Sequence, residues 1–174
     1  MKALTLFEPH ATLIMCGVKR FETRSWGCAH RGPLAIHVSG RRIQDQLNWT
    51  VHSPSWPADL TRRTLRELGY LDGGGERAFL PGVVLGVVDL AAIHLAENVS
   101  LTPQEQLQEH AFGDWRAGRR VWELRNIRPF CEPIAYKGSR GLWEWEPPAD
   151  WQSRLEVEPV QRWFVAIHLS ATQW

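Results

Sequence analysis

The sequence has few cysteines, and none is spaced for a disulfide framework or a zinc site. Cys16, Cys28 and Cys131 lie far apart, with no Cys-x-x-Cys pair. Cys28 has only His30 nearby as a second metal ligand, whereas structural zinc needs four ligands. An odd number of unpaired cysteines is typical of a reducing compartment. We therefore expect no metal, no cofactor and a cytoplasmic location.

Long apolar runs are also missing. Residues 1–16 are interrupted by Glu8, Pro9 and His10, so they do not form the apolar core of a signal peptide. No segment reaches the roughly 20 apolar residues that a transmembrane helix needs. We therefore expect a soluble protein that does not bind a membrane.

Net charge is nearly absent as well. The 174 residues include 20 Lys and Arg against 19 Asp and Glu, for a formal charge of +1. This balance gives no overall attraction to nucleic acid, so any contact with RNA or DNA needs a local basic patch. The basic doublets at 41–42, 62–63 and 119–120 are candidates for phosphate contact, although solvated surface positions are their simpler explanation.

Tryptophan is the residue in excess, with ten in the chain. Each tryptophan offers a large apolar face and one hydrogen-bond donor, which suits either core packing or stacking on bases. We expect most of them in the core. A chain of this length is sufficient for one domain with a sizeable core.

Hydrophobic alternation and turn residues predict an α+β fold. Five or six short strands with two or three interspersed helices, and no βαβ repetition, favour a small barrel with flanking helices. Strands are predicted at 2–7, 21–24, 34–39, 82–95 and 121–127, with a short one that begins near Leu142. Helices are predicted at 9–17, 57–68 and 102–110.

Two of these segments carry more detailed expectations. In the strand at 34–39, alternation directs Leu34, Ile36 and Val38 into the core and leaves His37 and Ser39 on the opposite face. The helix near 102–110 begins with Thr102 as cap, Pro103 at the first position and Glu105 completing a capping box.

The most informative segment is 17–26. Gly17 ends the first helix, and the alternation after it predicts a strand on which Glu22 and Arg24 share one face. Lys19 lies in the turn between this helix and this strand. A lysine, a carboxylate and a guanidinium are thus predicted to converge at a helix-to-strand junction.

Ordered motifs along residues 1–146 resemble the ASCH family, whose domains are relatives of the PUA RNA-binding domain. They are the opening Lys2-Ala3-Leu4-Thr5-Leu6 with Pro9, Gly17-x-Lys19-x-x-Glu22-x-Arg24, Arg31-Gly32-Pro33-Leu34-Ala35-Ile36-His37, Phe112-Gly113-Asp114, Gly118-Arg119-Arg120-x-Trp122, Asn126-x-Arg128-Pro129 and Gly138-x-x-Gly141-Leu142-Trp143. The resemblance implies a small PUA-like mixed β-barrel of five to six strands with flanking helices. Residues 147–174 lie outside it and are expected to pack on the barrel or to add a strand.

The resemblance also implies a ligand. Family members have been tied to RNA binding, DNA binding, RNA cleavage and deacetylation of N4-acetylcytidine. We expect a cleft that binds one nucleotide of RNA or DNA, single-stranded or flipped from a duplex. The candidate nucleic-acid-binding residues are Lys19, Glu22, Arg24, Ser25, Trp26, His37, Ser39, Lys137, Ser139 and Arg140.

Several alternatives stay open at this stage. Glu22 and Arg24 would bind the ligand or form a structural pair that closes the cleft. If the protein is a metal-independent hydrolase, acting on RNA or on a modified cytidine, the catalytic residues are Lys19, Glu22 and Asp114. In the deacetylating relatives a threonine aligns with Glu22 and acts as the nucleophile, which favours binding over catalysis here. A third alternative is a protein-interaction domain that uses a Trp-rich surface.

Overall fold

The computed structural model describes residues 1–50, 58–71 and 78–156. The strands are β1 (Lys2–Leu6), β2 (Phe21–Arg24), β3 (Gly32–Val38), β4 (Val83–Leu95), β5 (Arg120–Ala135) and β6 (Leu142–Glu144). The α-helices are α1 (His10–Met15), α2 (Ile43–Trp49), α3 (Ala58–Glu67) and α4 (Pro103–Ala111). Two single turns of 3₁₀-helix span Ala96–Asn98 and Trp151–Arg154.

The six strands form one curled, half-barrel sheet in the order β2-β5-β4-β3-β1-β6, flanked by the helices. β1 and β3 are parallel, and every other neighbouring pair is antiparallel. The α+β, PUA-like barrel expected from the sequence is therefore confirmed. The single parallel pair places the ends of β1 and β3 side by side, and both strands contribute residues to the pocket described below.

Alternation along β3 builds the centre of the core. Leu34, Ile36 and Val38 are fully buried and pack with Ile14 of α1 in the largest apolar cluster, as expected. His37 lies on the opposite face of the sheet, where its ring contacts the segment that precedes β6. One strand thus serves the core with one face and the candidate site with the other.

β5 is longer than the sequence predicts, because pairing continues past Ile127 to Ala135. Pro129 lies opposite Gly86, where the register of β4 and β5 shifts. Proline is accepted in a strand at such an irregularity. A Cβ on Gly86 would lie 2.5 Å from the Arg128 carbonyl oxygen, so glycine allows the close approach of the two strands.

α2 is absent from the sequence prediction because only Leu47 in it is buried and apolar, with Ile43 partly buried. The capping box at the start of α4 is confirmed, since Thr102 and Glu105 exchange side-chain and backbone hydrogen bonds. Across the described residues, no helix is both long and apolar enough to cross a membrane. Residues 72–75, whose glycines are typical of a loop, and residues 163–169, whose weak alternation indicates one more strand, lie outside the described residues.

Candidate functional site

Arg24 ends β2 beside Glu22, on the shared face that the sequence predicts. Gly17, with φ of 75°, ends α1 and turns the chain towards β2. Arg24 Nε lies 3.1 Å from Glu22 Oε1, and Arg24 Nη2 donates a 3.2 Å hydrogen bond to the carbonyl oxygen of Thr5 in β1. The guanidinium is therefore fixed from two sides while its side chain keeps 26% exposure.

Lys19 lies behind this pair and is fully buried. Its Nζ donates to the Phe21 carbonyl oxygen and lies 3.4 Å from Glu22 Oε2. Burial on its own raises the pKa of Glu22, but the charges of Lys19 and Arg24 outweigh burial and leave that pKa below its ordinary value. Glu22 is thus an ionised carboxylate held between two cations.

Two residues that the sequence analysis did not identify complete this buried cluster. Glu109 of α4 is 2% exposed and accepts a 2.8 Å hydrogen bond from the Arg20 backbone N–H. Burial raises the pKa of Glu109, although the nearby charge of Lys19 opposes the shift. Burial also lowers the pKa of His10 to about 4, so His10 is neutral at pH 7. Neither Glu109 nor His10 lies in a sequence motif that predicts its proximity to Lys19.

A pocket of about 670 Å³ opens on the exposed side of Arg24. It lies between the ends of β1, β2 and β3 and the segment 136–141, which we call the pocket loop. Six of the predicted nucleic-acid-binding residues line it: Arg24, His37, Ser39, Lys137, Ser139 and Arg140. Residues far apart in the sequence are therefore brought together in one cavity.

The charge of this pocket is positive. Arg24, Arg41, Lys137 and Arg140 line it, and none of the described carboxylates does. Among the described residues, only Arg24 of these four forms an ion pair with a carboxylate, whereas most arginines elsewhere in the described chain form one. The Arg41 guanidinium lies over the ring of Phe7, 5.6 Å from its centre. The pocket therefore brings together three cations, Arg41, Lys137 and Arg140, that form no ion pair with a described carboxylate.

Hydrogen bonds from β1 and β3 fix the pocket loop. His37 Nε2 donates to the Tyr136 carbonyl oxygen at 3.0 Å, and the Thr5 hydroxyl donates to the Ser139 carbonyl oxygen at 2.7 Å. A Cβ at Gly138 would overlap the His37 ring, so the loop passes directly over that ring. Burial lowers the pKa of His37, which keeps the imidazole neutral at pH 7. Thr5 and Tyr136 were not identified from the sequence because they act through position rather than charge.

The other predicted residues lie away from the pocket. Ser25 is exposed and does not line it. Trp26 is partly buried against Trp122, with ring centres 4.9 Å apart in an edge-to-face arrangement. Asp114 pairs with Arg116 and Arg119 on the side of β2 to which Thr23 points.

Asp114 is also electrostatically separate from the Lys19 cluster. Its hydrogen bond with Arg116 is the main cause that lowers its pKa to about 2. Lys19, Glu22 and Asp114 are the candidate catalytic residues. Within the described residues, no ion pair or hydrogen bond joins Asp114 to either of the other two. The described part of the chain contains no group of three His, Cys, Asp or Glu side chains that is suited to a metal ion.

Comparisons with known proteins place this arrangement in context. The chain is 33% identical over 144 residues to mouse Activating signal cointegrator 1. That match covers 81% of this chain and 22% of the mouse protein, so the chain spans about a fifth of its curated relative. The ASCH protein of Zymomonas mobilis is a structural neighbour, with 14% identity, a TM-score of 0.44 and coverage of 89% of this chain and 95% of that one. A mutant of the same protein gives a TM-score of 0.43 at 14% identity, with 87% and 94% coverage. No protein-family profile matches the chain.

Proposed function

Starting from the fact that this chain belongs to the ASCH family, we propose that its basic pocket binds a nucleotide of RNA or DNA. Phosphate is the group that the lining selects, because its cations and hydroxyls are donors to anionic oxygen. The cavity volume is within the range of pockets that hold one small molecule. The nucleic acid is therefore single-stranded, or presents one nucleotide flipped from a duplex.

The observation that carries this proposal is the set of unpaired cations. Arg41, Lys137 and Arg140 meet in one concavity that no carboxylate of the described chain lines. Like charges repel each other, and a bound anion relieves that repulsion. A chain with net charge +1 has many carboxylates available for pairing, so their exclusion from this pocket favours an anionic ligand.

The lining residues have separable roles. Lys137 and Arg140 are the phosphate contacts on the pocket loop, and Arg24 provides the guanidinium edge that its ion pair with Glu22 and its hydrogen bond to Thr5 leave available. Ser39 and Ser139 add hydrogen bonds to phosphate or sugar. His37 positions the pocket loop.

Lys19 and Glu22 support Arg24 from behind. The buried Lys19–Glu22 pair fixes the carboxylate that in turn orients the Arg24 guanidinium. Direct contact of either residue with nucleic acid, and stacking of a base on Trp26, remain predictions.

Fluorescence anisotropy with short single-stranded RNA and DNA of one sequence tests the proposal. The double variant Lys137→Ala/Arg140→Ala should weaken binding by tenfold or more at low salt, because two phosphate contacts are lost. Arg63→Ala is the matched control, since Arg63 is an exposed arginine on α3 that pairs with Glu67. Equal affinities of the double variant and the wild type would refute the proposal.

The same samples address the hydrolase alternative. After incubation, the oligonucleotides are separated on a denaturing gel, and N4-acetylcytidine is assayed for loss of the acetyl group. A binding module leaves both intact. Product that disappears in Lys19→Ala would instead assign the site to a hydrolase.

A further inference from the structure

Three of the described cations without an ion-pair partner, Arg41, Lys137 and Arg140, lie in one concavity rather than in a stripe along the surface. Proteins that follow a nucleic-acid strand carry a groove of positive charge along its path. Arg42, which follows the pocket residue Arg41 in the sequence, pairs instead with Asp45. The largest group of unpaired cations among the described residues is therefore the one in the pocket.

The amount of charge in the pocket exceeds what an internal phosphodiester carries. Arg41, Lys137 and Arg140 contribute three positive charges without an ion-paired carboxylate among the described residues. An internal diester has a single negative charge. A terminal phosphomonoester has close to two at pH 7 and offers three acceptor oxygens.

From these two features we infer that the pocket binds the phosphorylated end of a strand, or a mononucleotide with the same terminal phosphate, in preference to an internal phosphodiester. The inference rests on the proposed function and specifies its ligand. Lys137, Arg140 and Arg41 surround the terminal phosphate, while Arg24 contacts the next phosphate or the sugar. The strand leaves through the open side of the pocket.

Two further described arginines without a carboxylate partner test this geometry. Arg120 lies opposite Arg24 in the pairing of β5 with β2, and Arg31 donates to the carbonyl oxygens of Cys28 and His30. Neither lines the pocket. A strand that ran past the pocket along the sheet would contact Arg120, whereas a strand that ends in the pocket depends on Lys137 and Arg140.

The experiment compares four oligonucleotides of one sequence in the full chain: 5′-phosphorylated, 3′-phosphorylated, hydroxyl-ended and covalently closed into a circle. One phosphorylated form should bind about tenfold more tightly than the hydroxyl-ended form, because a second charge and a third acceptor oxygen are engaged. The circle should bind no better than the hydroxyl-ended strand. The preference should shrink when the pH falls from 7.5 to 5.5, because the dianionic monoester takes up one proton and becomes a monoanion.

Variants and outcomes separate this inference from the proposed function. Lys137→Ala should remove most of the preference for the phosphorylated end, and Arg120→Ala should leave it intact. Equal affinity for all four forms overturns the inference while leaving nucleotide binding in place, as does a loss in Arg120→Ala as large as that in Lys137→Ala. No binding of any form by the wild-type chain overturns the proposed function itself.

Discussion

At the scale of single residues, the site contains two groups of charged side chains, one buried and ion-paired, the other facing the pocket. Lys19 and Glu22 are buried and hold each other, whereas Lys137 and Arg140 face the pocket without a carboxylate. Buried charges are costly to leave unpaired, but exposed unpaired charges cost little. Residues in the first group are therefore expected to affect stability, and those in the second to affect binding.

Lys19→Met tests the first group. The substitution keeps most of the buried volume but removes the ammonium, so Glu22 loses one of its two cationic partners. We expect the free energy of unfolding to fall by on the order of 3 kcal/mol, measured by urea denaturation. Lys137→Met introduces the same side chain at a pocket position and should change stability by less than about 0.5 kcal/mol. Similar losses in both variants would contradict a structural role for Lys19.

Glu8 and His10 should shape the pH dependence of stability in opposite directions. Burial raises the pKa of Glu8 to about 7, so between pH 4.5 and 7 the folded chain holds a proton that unfolding releases. Stability from this group therefore falls as pH rises. Burial lowers the pKa of His10 to about 4, so between pH 4 and 6.5 unfolding takes up a proton, and stability rises with pH.

Glu8→Gln should expose the contribution of His10. The amide oxygen retains an acceptor for Thr12, but the group no longer titrates. Relative to wild type, the variant should gain up to about 1.4 kcal/mol of stability per pH unit as pH rises from 4.5 to 6.5, measured by urea unfolding at several pH values. His10→Gln should instead lose stability relative to wild type as pH rises through the same range. Parallel profiles for Glu8→Gln and wild type would show that Glu8 is already ionised in the folded chain.

At the scale of elements, the pocket loop and α1–β2 junction differ in how far the sequence reveals them. The junction is local: Gly17, Glu22 and Arg24 lie within eight positions, and turn chemistry with strand alternation predicts their arrangement. The pocket loop is fixed by Thr5 and His37, which are about a hundred or more positions away. Contacts of that separation have no periodic signal, so Thr5 and Tyr136 were missed.

Gly138→Ala tests the close approach of the pocket loop to His37. The added methyl group would overlap the imidazole ring, so the loop must move away and take Lys137 and Arg140 with it. We expect oligonucleotide affinity to fall by tenfold or more, measured by anisotropy, with a smaller effect on stability. Gly40→Ala is the control, because Gly40 also lines the pocket but a Cβ there meets nothing within 4 Å. Equal affinities for the two alanine variants would argue against a pre-organised loop.

At the scale of the whole molecule, the sequence predicts the fold better than it predicts the site. Alternation and capping identify the strands and α4, because those signals depend on near neighbours. The extension of β5 through Pro129 depends on Gly86 in another strand, and the parallel pairing of β1 with β3 depends on the sheet order. Likewise, the formal charge of +1 conceals a basic pocket, because pairing elsewhere balances the total.

This charge distribution limits how strongly salt can affect binding. Four cations line the pocket, and the chain as a whole adds no net attraction. For single-stranded nucleic acid the slope of log affinity against log salt is about −0.7 per neutralised phosphate, so the wild-type slope should be no steeper than about −3. Lys137→Ala/Arg140→Ala should make it shallower, and Arg63→Ala should leave it unchanged. A much steeper wild-type slope would mean that cations outside the pocket contact the strand, and that the ligand follows a path along the molecule's surface.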